Sequence, residues 1–379
     1  MPGWTRRRLR LAWTLGATLG VVVSAAASAQ EPDARSGSAA LAIYADDDHV
    51  TVVSPSATVH VPLPGEIEVE GGFSVDVVSA ASVDVVSQAS PYAVEEQRYE
   101  GTVSLTAPLE RELRMTLRAY GSTENDYDSL TLSVGAELDA FQRNTTFQLS
   151  YGVGIDAVGW ADDPTFSEDR LTHRVIAGVT QVMDGRTFYD VTLDATWIEG
   201  HQESPYRFVP ILDGEGHKLY MLPESIPDTR LGAALVVRLR HAIGRAPHVF
   251  LHGEYRLYAD SWGIGSHTAR VRGRVPVLGE RLWLSAELRG YLQGAADFYR
   301  ARVVDSGNGA PGWRTRDRVL GRMYTVGGQL GADLAVGPLG DPVLELEVAA
   351  TILRFGWPDF PLQSGRTAIV TIVGARVPF

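Results

Sequence analysis

The chain contains no cysteine in 379 residues. That absence excludes disulfide bonds, thiolate metal sites and a lipid-modified N-terminal cysteine, and it is common in proteins that cross an oxidising periplasm before they fold. Basic residues are outnumbered as well, with 34 Lys and Arg against 46 Asp and Glu, for a formal net charge of −12. An acidic chain of this balance is a poor binder of nucleic acid.

Two further absences concern the organisation of the chain. Beyond the N-terminal leader, no apolar run is long enough for a membrane helix. No Pro- or Ser-rich linker divides the sequence after about residue 40, and helical periodicity is almost missing. The remainder is therefore expected to form one domain built from strands.

The leader itself has the features of a secretory signal peptide over residues 1–29. A basic start with four arginines precedes an apolar stretch at 11–23, and Ala-Ser-Ala at 27–29 is a cleavage signal. Cleavage removes those four positive charges and moves the net charge from −12 to −16. The apolar stretch is too short to span a bilayer comfortably, so cleavage is favoured over a membrane anchor. Residues 30–38 are expected to be a short disordered N-terminus.

Strict alternation of apolar and polar residues is the main positive signal. It is plain in 112–120, 190–197 and 281–291, and a period of two places the two sets on opposite faces of a strand. A soluble sandwich would also alternate, but here nearly every strand does so. Segments of about 10 residues of this kind are typical of outer-membrane barrels.

Connection lengths give an independent signal, because tight turns alternate with longer loops as they do in such barrels. The longer loops are predicted near 80–93, 159–168, 201–227, 299–321 and 357–365. If the C-terminus is periplasmic, an outward strand at 40–44 must precede the strand that begins near His49. The fold class is therefore all-β, a transmembrane antiparallel up-and-down β-barrel over residues 39–379. It has about 16 strands, with about 14 as the alternative.

The last strand ends on the aromatic Phe379, which looks like the sorting signal of outer-membrane barrels. We expect this strand to close the ring against Leu41–Tyr44 and to be bound by the barrel-assembly machinery. The predicted location is the Gram-negative outer membrane, and the predicted surroundings are outer-membrane lipid and lipopolysaccharide.

Several short motifs carry a resemblance to a known family. They are S-x-E-x-D-Y-x-S at 122–129, G-V-T-Q at 178–181 and S-P-Y-R at 204–207, with further segments at 75–84, 224–230, 255–264 and 293–299. In this order they resemble the bacterial domain-of-unknown-function 3570 family. The residues taken as family motif are Ser122, Glu124, Asp126, Tyr127, Ser129, Gln181, Tyr206, Arg207 and Trp262. The resemblance implies an outer-membrane barrel with no established activity and a possible small lipoprotein partner.

Rows of charged residues share strand faces in the C-terminal half. Ionised groups on the lipid side would cost about 2–4 kcal/mol each near the midplane, so these rows are predicted to face the lumen. They could line a water-filled passage, or they could fill a closed interior with salt bridges, and both remain open. The predicted lumen residues are Glu254, Arg256, Tyr258, Asp260, Arg270, Arg272, Arg274, Glu287, Arg289 and Tyr291.

The acidic turns are candidate calcium sites, since carboxylates bind hard divalent cations. They lie at 46–48, at Glu124, Asp126 and Asp128, and at 162–163, and they should all be external. No D-x-[DN]-x-[DN]-G loop occurs among them. Solvated loop charge is therefore favoured, and neither a metal nor a cofactor is expected.

Two chemical sites receive little support from the sequence. His248 and His252 would lie about 13 Å apart along one strand, too far to share a metal. Ser261, His267 and Asp260 could form a hydrolase site at the external rim, but no G-x-S-x-G motif occurs.

The leading hypothesis is a porin-like channel, or the membrane anchor of an envelope complex, for a small polar or charged solute. The alternatives are an outer-membrane hydrolase and a plugged structural or adhesion barrel.

Overall fold

The computed structural model describes residues 35–80, 94–161, 163–244, 249–279, 281–305, 307, 311–338 and 342–379. The predicted signal peptide and most of the predicted loop at 80–93 lie outside the described residues. Within the described part of the chain, no helix is long and apolar enough to cross a bilayer.

Sixteen antiparallel strands close into a ring, as the sequence predicts. Each pairs with its neighbours in chain order, and the first strand pairs with the last. The wall strands are β1 (Ser36–Asp46), β2 (Val50–Leu63), β3 (Ile67–Ala80), β4 (Val94–Glu110), β5 (Leu113–Thr123), β6 (Tyr127–Ala140), β7 (Thr145–Gly159), β8 (Ser167–Asp184), β9 (Thr187–Gly200), β12 (Thr229–Ile243), β13 (Val249–Asp260), β14 (Gly265–Pro276), β15 (Leu282–Gln293), β17 (Met323–Val336), β18 (Leu344–Gly356) and β19 (Gly365–Pro378).

Closure of the ring joins β1 to β19. Leu41 lies opposite Val373 and Tyr44 opposite Val370, as expected for the final strand. The first strand begins earlier than predicted: Ser36 pairs with Pro378, so residues 36–38 belong to the wall and not to a disordered N-terminus. The reason is that β19 is long enough to offer partners down to Pro378.

The outer face of the wall is apolar because alternate residues of each strand point away from the ring. Leu117, Leu288 and Leu330 expose 56%, 72% and 70% of their surface. On the opposite face of the same wall, Thr325 and Ser285 are buried. An apolar band outside and a polar face inside is the arrangement of transmembrane β-barrels.

A small sheet lies apart from the wall, in the two longest connections. It consists of β10 (Phe208–Leu212), β11 (Lys218–Pro223) and β16 (Val303–Val304). Val209 and Ile211 are fully buried, and Val303 packs with them. We call the connections 201–228 and 294–322 together the cap. A single turn of 3₁₀ helix, Arg318–Leu320, lies in the second of them.

Candidate functional site: a charged lumen beneath a folded cap

One apolar cluster identifies the inner face of the wall. Tyr44 of β1 packs in this cluster with Tyr206, which follows β9. Strands β1 and β9 are eight places apart in a ring of sixteen, so they stand on opposite sides. The chain that carries Tyr206 must therefore reach across the mouth of the barrel. The face of β1 that bears Tyr44 is therefore the inner one. Because directly opposed residues of paired strands lie on the same face, the strand registers identify the inner residues of every other wall strand.

The charged rows predicted from the sequence all lie on this inner face. Directly opposed pairs connect them from strand to strand: Arg256 with Thr268, Arg270 with Arg289, and Arg272 with Glu287. By the same registers the inner set is Glu254, Arg256, Tyr258 and Asp260 on β13, Arg270, Arg272 and Arg274 on β14, and Glu287, Arg289 and Tyr291 on β15.

Carboxylates neutralise several arginines of the inner face, including two on the neighbouring strand β12. Arg230 lies 2.5 Å from Asp260, and Arg238 lies 2.9 Å from Glu254 and 2.5 Å from Asp190. Two further pairs follow in the next strands. They are Arg270 with Glu287 at 3.3 Å and Arg274 with Asp333 at 2.9 Å.

On β13, β14 and β15, three inner arginines make no ion pair with any residue that the structure describes: Arg256, Arg272 and Arg289. The Arg256 guanidinium lies 5.9 Å from the centre of the Tyr258 ring, and Arg272 donates to the Ser285 hydroxyl at 3.2 Å. This part of the wall therefore carries an excess of positive charge.

The interior is not filled by side chains alone. On the inner face of β8, Arg174 pairs with Asp194 and still exposes 54% of its side chain. On the inner face of β5, Arg114 exposes 50% of its side chain beside Glu137. Such exposure requires space for water inside the ring, and a 16-strand barrel is wide enough to hold an aqueous lumen.

The first attachment of the cap is made by Tyr206. Its hydroxyl donates to the Asp126 carboxylate and accepts a hydrogen bond from the Ala161 backbone N–H at 2.7 Å. Its ring packs edge-on against Trp160. The first cap connection is thereby fixed to the β5–β6 turn and to the loop after β7.

A buried carboxylate joins the two cap connections. Glu224 is 3% exposed and accepts hydrogen bonds from the Thr315 hydroxyl and from the Ser204 backbone N–H at 2.9 Å. Arg207 lies between Glu224 at 3.2 Å and Asp317 at 3.0 Å. Burial raises the pKa of Glu224 above its ordinary value, and Arg207 opposes that shift.

The second cap connection reaches the β1–β2 turn, about a quarter of the way around the ring, through Arg318. Its guanidinium lies 3.7 Å from Asp48 in the β1–β2 turn, donates to Gln363 and stacks 4.6 Å from Trp357. Arg366 pairs with Asp46 of the same turn at 2.8 Å. The expectation of solvated charge is therefore wrong for Asp46 and Asp48, because the cap and two arginines cover them.

The second acidic turn forms a cluster, but with different members from those predicted. Glu124 and Asp126 approach Glu96 of β4, with ligand atoms within 4.8 Å of one another. Burial raises the pKa of both turn residues. Asp128 instead lies on the outer face, opposite Thr123. In the third turn Asp163 is half-buried and accepts a hydrogen bond from the Thr165 hydroxyl, whereas Asp162 lies outside the described residues.

The hydrolase arrangement is not formed. Asp260 is on the inner face, where it is bound by Arg230 and Tyr258. His267 is on the outer face, paired with the Tyr255 hydroxyl at 2.6 Å, so the wall separates the two groups. The Ser261 hydroxyl accepts from the Leu231 backbone N–H. His252 lies on the inner face, and His248 lies outside the described residues.

The family-motif residues meet mainly where the cap joins the wall. Trp262 is buried, donates from its indole to the Thr229 carbonyl at 2.9 Å and stacks against Arg230 at 4.3 Å. Tyr127 accepts from Arg170. Ser122 and Ser129 oppose each other on the inner face, beside Glu124 and Asp126. Tyr206 and Arg207 belong to the cap itself. Gln181 is the exception, since it binds Thr145 at the opposite end of the wall.

Sequence reasoning missed the residues that hold the cap in place. Glu224, Thr315 and Arg318 were not selected, and no periodicity marks them. The one available signal was that Glu224 opens a family segment, 224–230, which suggests a constrained position within a long loop.

Comparisons with known proteins agree with this fold. A family model described as "Protein of unknown function (DUF3570)" matches residues 77–338. No curated protein matches the chain significantly.

Solved structures that resemble the chain include outer-membrane barrels. CdiB from Acinetobacter baumannii is 9% identical with a TM-score of 0.50, over 90% of this chain and 60% of that one. The siderophore receptor PirA from Pseudomonas aeruginosa is 10% identical with a TM-score of 0.46, over 90% and 61%. A bacterial polysaccharide outer membrane secretin is 8% identical with a TM-score of 0.49, over 92% and 100%. The chain thus spans about three fifths of the first two proteins, and the likeness is one of fold alone.

Proposed function

The chain belongs to the DUF3570 family, and from this membership and its barrel fold we propose that it is an outer-membrane protein through which a small charged solute passes. Its leader is removed on export, and its final strand, ending at Phe379, is bound by the barrel-assembly machinery. Lipid and lipopolysaccharide surround its apolar outer face.

The observation that carries this proposal is the charged and water-exposed inner wall. Arg174 keeps 54% of its side chain exposed inside the ring although it pairs with Asp194. A plugged interior would exclude water from these side chains. Ionised groups are costly in such a low-dielectric space unless a partner neutralises them fully. The wall therefore supports an aqueous passage.

The cap bears on how such a passage operates. It crosses the long-loop mouth and is fixed to the wall at Asp126 in the β5–β6 turn and at Asp48 in the β1–β2 turn. A solute would enter beside the cap or when the cap moves. We therefore propose a restricted passage and not a general diffusion pore.

Single-channel recording on the purified, folded chain tests the proposal. Small, discrete conductance steps are expected, with reversal potentials in a salt gradient that depart from zero. A protein that inserts and shows heat-modifiable mobility, yet gives no steps, would refute passage.

The cap also favours a second candidate, a plugged barrel with a structural role or the membrane anchor of an envelope complex. A lipoprotein partner would belong to this candidate. Co-purification of a small lipoprotein with a non-conducting barrel would support it over the channel.

A further inference from the structure

The lumen wall formed by β13, β14 and β15 has an unusual charge distribution. Its arginines outnumber the carboxylates that could neutralise them, and Arg256, Arg272 and Arg289 have no ion-pair partner among the described residues. We propose that these three residues, with Arg270, form a binding site inside the barrel for a small oxyanion with at least two negative charges. This inference rests on the proposed function, since it names the class of solute.

The register places the four arginines on one patch of the inner face. Arg270 and Arg289 are directly opposed, which sets their Cβ atoms about 4.5–5.5 Å apart. Arg272 is the next inner residue of the same strand. Arg256 lies on the other side of β14, opposite Thr268, so Arg256 and Arg289 flank β14 on strands about 10 Å apart. Side chains of this length can reach a ligand held between these strands.

The fold alone does not favour this arrangement. Like charges directly opposite each other destabilise a strand pair. Glu287, at 3.3 Å from Arg270, and Glu254, which lies opposite Arg270 but is bound by Arg238 at 2.9 Å, offset the repulsion only in part. The Nε atoms of Arg272 and Arg289 are buried and have no hydrogen-bond acceptor among the described residues. A dianion between these side chains would relieve the repulsion and accept hydrogen bonds from them.

The guanidinium groups also determine the chemistry of the ligand. A guanidinium presents a planar fork of donors that matches two oxygens of a carboxylate or phosphate, and it suits a spherical halide less well. Hydroxyls of Thr268 and Ser285 lie on the same inner face and can donate to the remaining oxygens, whereas the Tyr291 hydroxyl already donates to Gln293. The ligand class is therefore a phosphate-like or dicarboxylate oxyanion.

The opposite wall does not compete for the arginines. Strand β14 faces β4, and β15 faces β5, each eight places around the ring. The inner residues in the middle of these strands are neutral or basic: Thr102, Ser104, Thr116, Arg118 and Tyr120. Arg118 donates to Thr102 at 3.2 Å. Within these described segments no carboxylate faces the arginines from mid-wall.

Calorimetric titration of the detergent-purified, folded chain tests the site without relying on conductance. The probes are inorganic phosphate and succinate at constant ionic strength, with chloride as the reference. Saturable binding of either oxyanion, absent with chloride, is expected, and the better of the two shows whether phosphate or dicarboxylate is preferred. Absence of binding by both, or equal binding of chloride, overturns the proposal. Binding by a non-conducting protein would refute passage and leave the site intact.

The variants are Arg289→Gln and Arg256→Gln, with Arg174→Gln as a matched inner-wall control outside the site. Each site variant should weaken oxyanion binding about tenfold or more, as expected for loss of a charge-assisted hydrogen bond, while the control stays within about twofold. Without oxyanion, Arg289→Gln should melt at a higher temperature than the unmodified chain, because the repulsion with Arg270 is removed. With saturating oxyanion, it should melt at a lower temperature than the unmodified chain. A structural role alone would lower it in both conditions. If Arg289→Gln fails to fold, the test rests on Arg256→Gln. Unchanged oxyanion binding by Arg256→Gln contradicts the proposal.

Discussion

Arg318 and Asp48 lie 3.7 Å apart although they come from opposite ends of the chain. Both side chains are almost fully buried. Arg318 belongs to the cap, and Asp48 forms the turn between the first two wall strands. This contact therefore ties the cap to the part of the wall where the ring closes, and it completes a bridge over the mouth that starts at Tyr206.

Removing the contact between Arg318 and Asp48 should allow the cap to uncover the mouth of the barrel more often. Arg318→Ala removes the contacts to Asp48 and Gln363, and hydrogen bonds to charged groups contribute about 1.5–3 kcal/mol each. More frequent and longer openings are expected in single-channel records, with the folded barrel recovered in normal yield. Arg322→Ala is the control, because its ion pair with Asp359 is exposed and contributes less than about 1 kcal/mol. Identical records from both variants would show that the cap does not gate.

Two neighbouring residues test which face of β15 meets lipid. Leu288 is 72% exposed on the outer face, so Leu288→Arg places an ion in hydrocarbon at a cost of about 2–4 kcal/mol near the midplane. Glu287→Arg stays on the polar inner face and should fold, with selectivity shifted toward anions. Heat-modifiable gel mobility measures the folding yield of each variant, and the reversal potential in a salt gradient measures the ion selectivity of the folded protein. Impaired folding of Glu287→Arg with normal folding of Leu288→Arg would invert the assignment.

The alternation of apolar and polar residues was enough to predict the wall. In β15 it assigned Leu284 and Leu288 to one face and Glu287 and Arg289 to the other, because a strand allows only two faces. The number of strands followed from the loop lengths, and the closing partner at Leu41–Tyr44 followed from the need for an even ring.

The cap could not be predicted in the same way. Glu224 and Thr315 are 91 residues apart, and their contact depends on two irregular loops with no periodic pattern. Asp46 and Asp48 were assigned to solvent because acidic turns usually are solvated. Their partners, Arg366 and Arg318, are brought there only by closure of the ring and by the cap.

Assembly should depend on the terminal aromatic residue. Phe379 exposes 69% of its surface, and its backbone N–H donates to the Arg35 carbonyl at 2.8 Å. Its deletion removes little packing, so the purified barrel should refold with nearly unchanged stability in detergent. In cells the deletion should reduce insertion sharply, as seen by fractionation. Normal outer-membrane levels of the deleted chain would disprove a role in sorting.

The pH dependence of stability should contain a contribution from Glu224. Its pKa is raised in the folded state, so folded protein holds a proton that the unfolded chain releases above about pH 4.3. The contribution of Glu224 to stability therefore declines as the pH rises from about 4.3 to the raised pKa of the folded state. Glu224→Gln cannot titrate, so its melting temperature should fall less over this window than that of the unmodified chain. Parallel curves would contradict the shift.

The absence of cysteine permits the most direct test of a water-lined arginine wall. Single variants Arg289→Cys and Leu288→Cys, reconstituted in bilayers, can each be treated with a charged thiol reagent that does not enter hydrocarbon. The inner position should react and the outer one should remain unmodified, because adjacent residues of a strand face opposite sides. Labelling of Leu288→Cys alone would invert the barrel's faces, and failure of both to react would show that water does not reach the arginine wall.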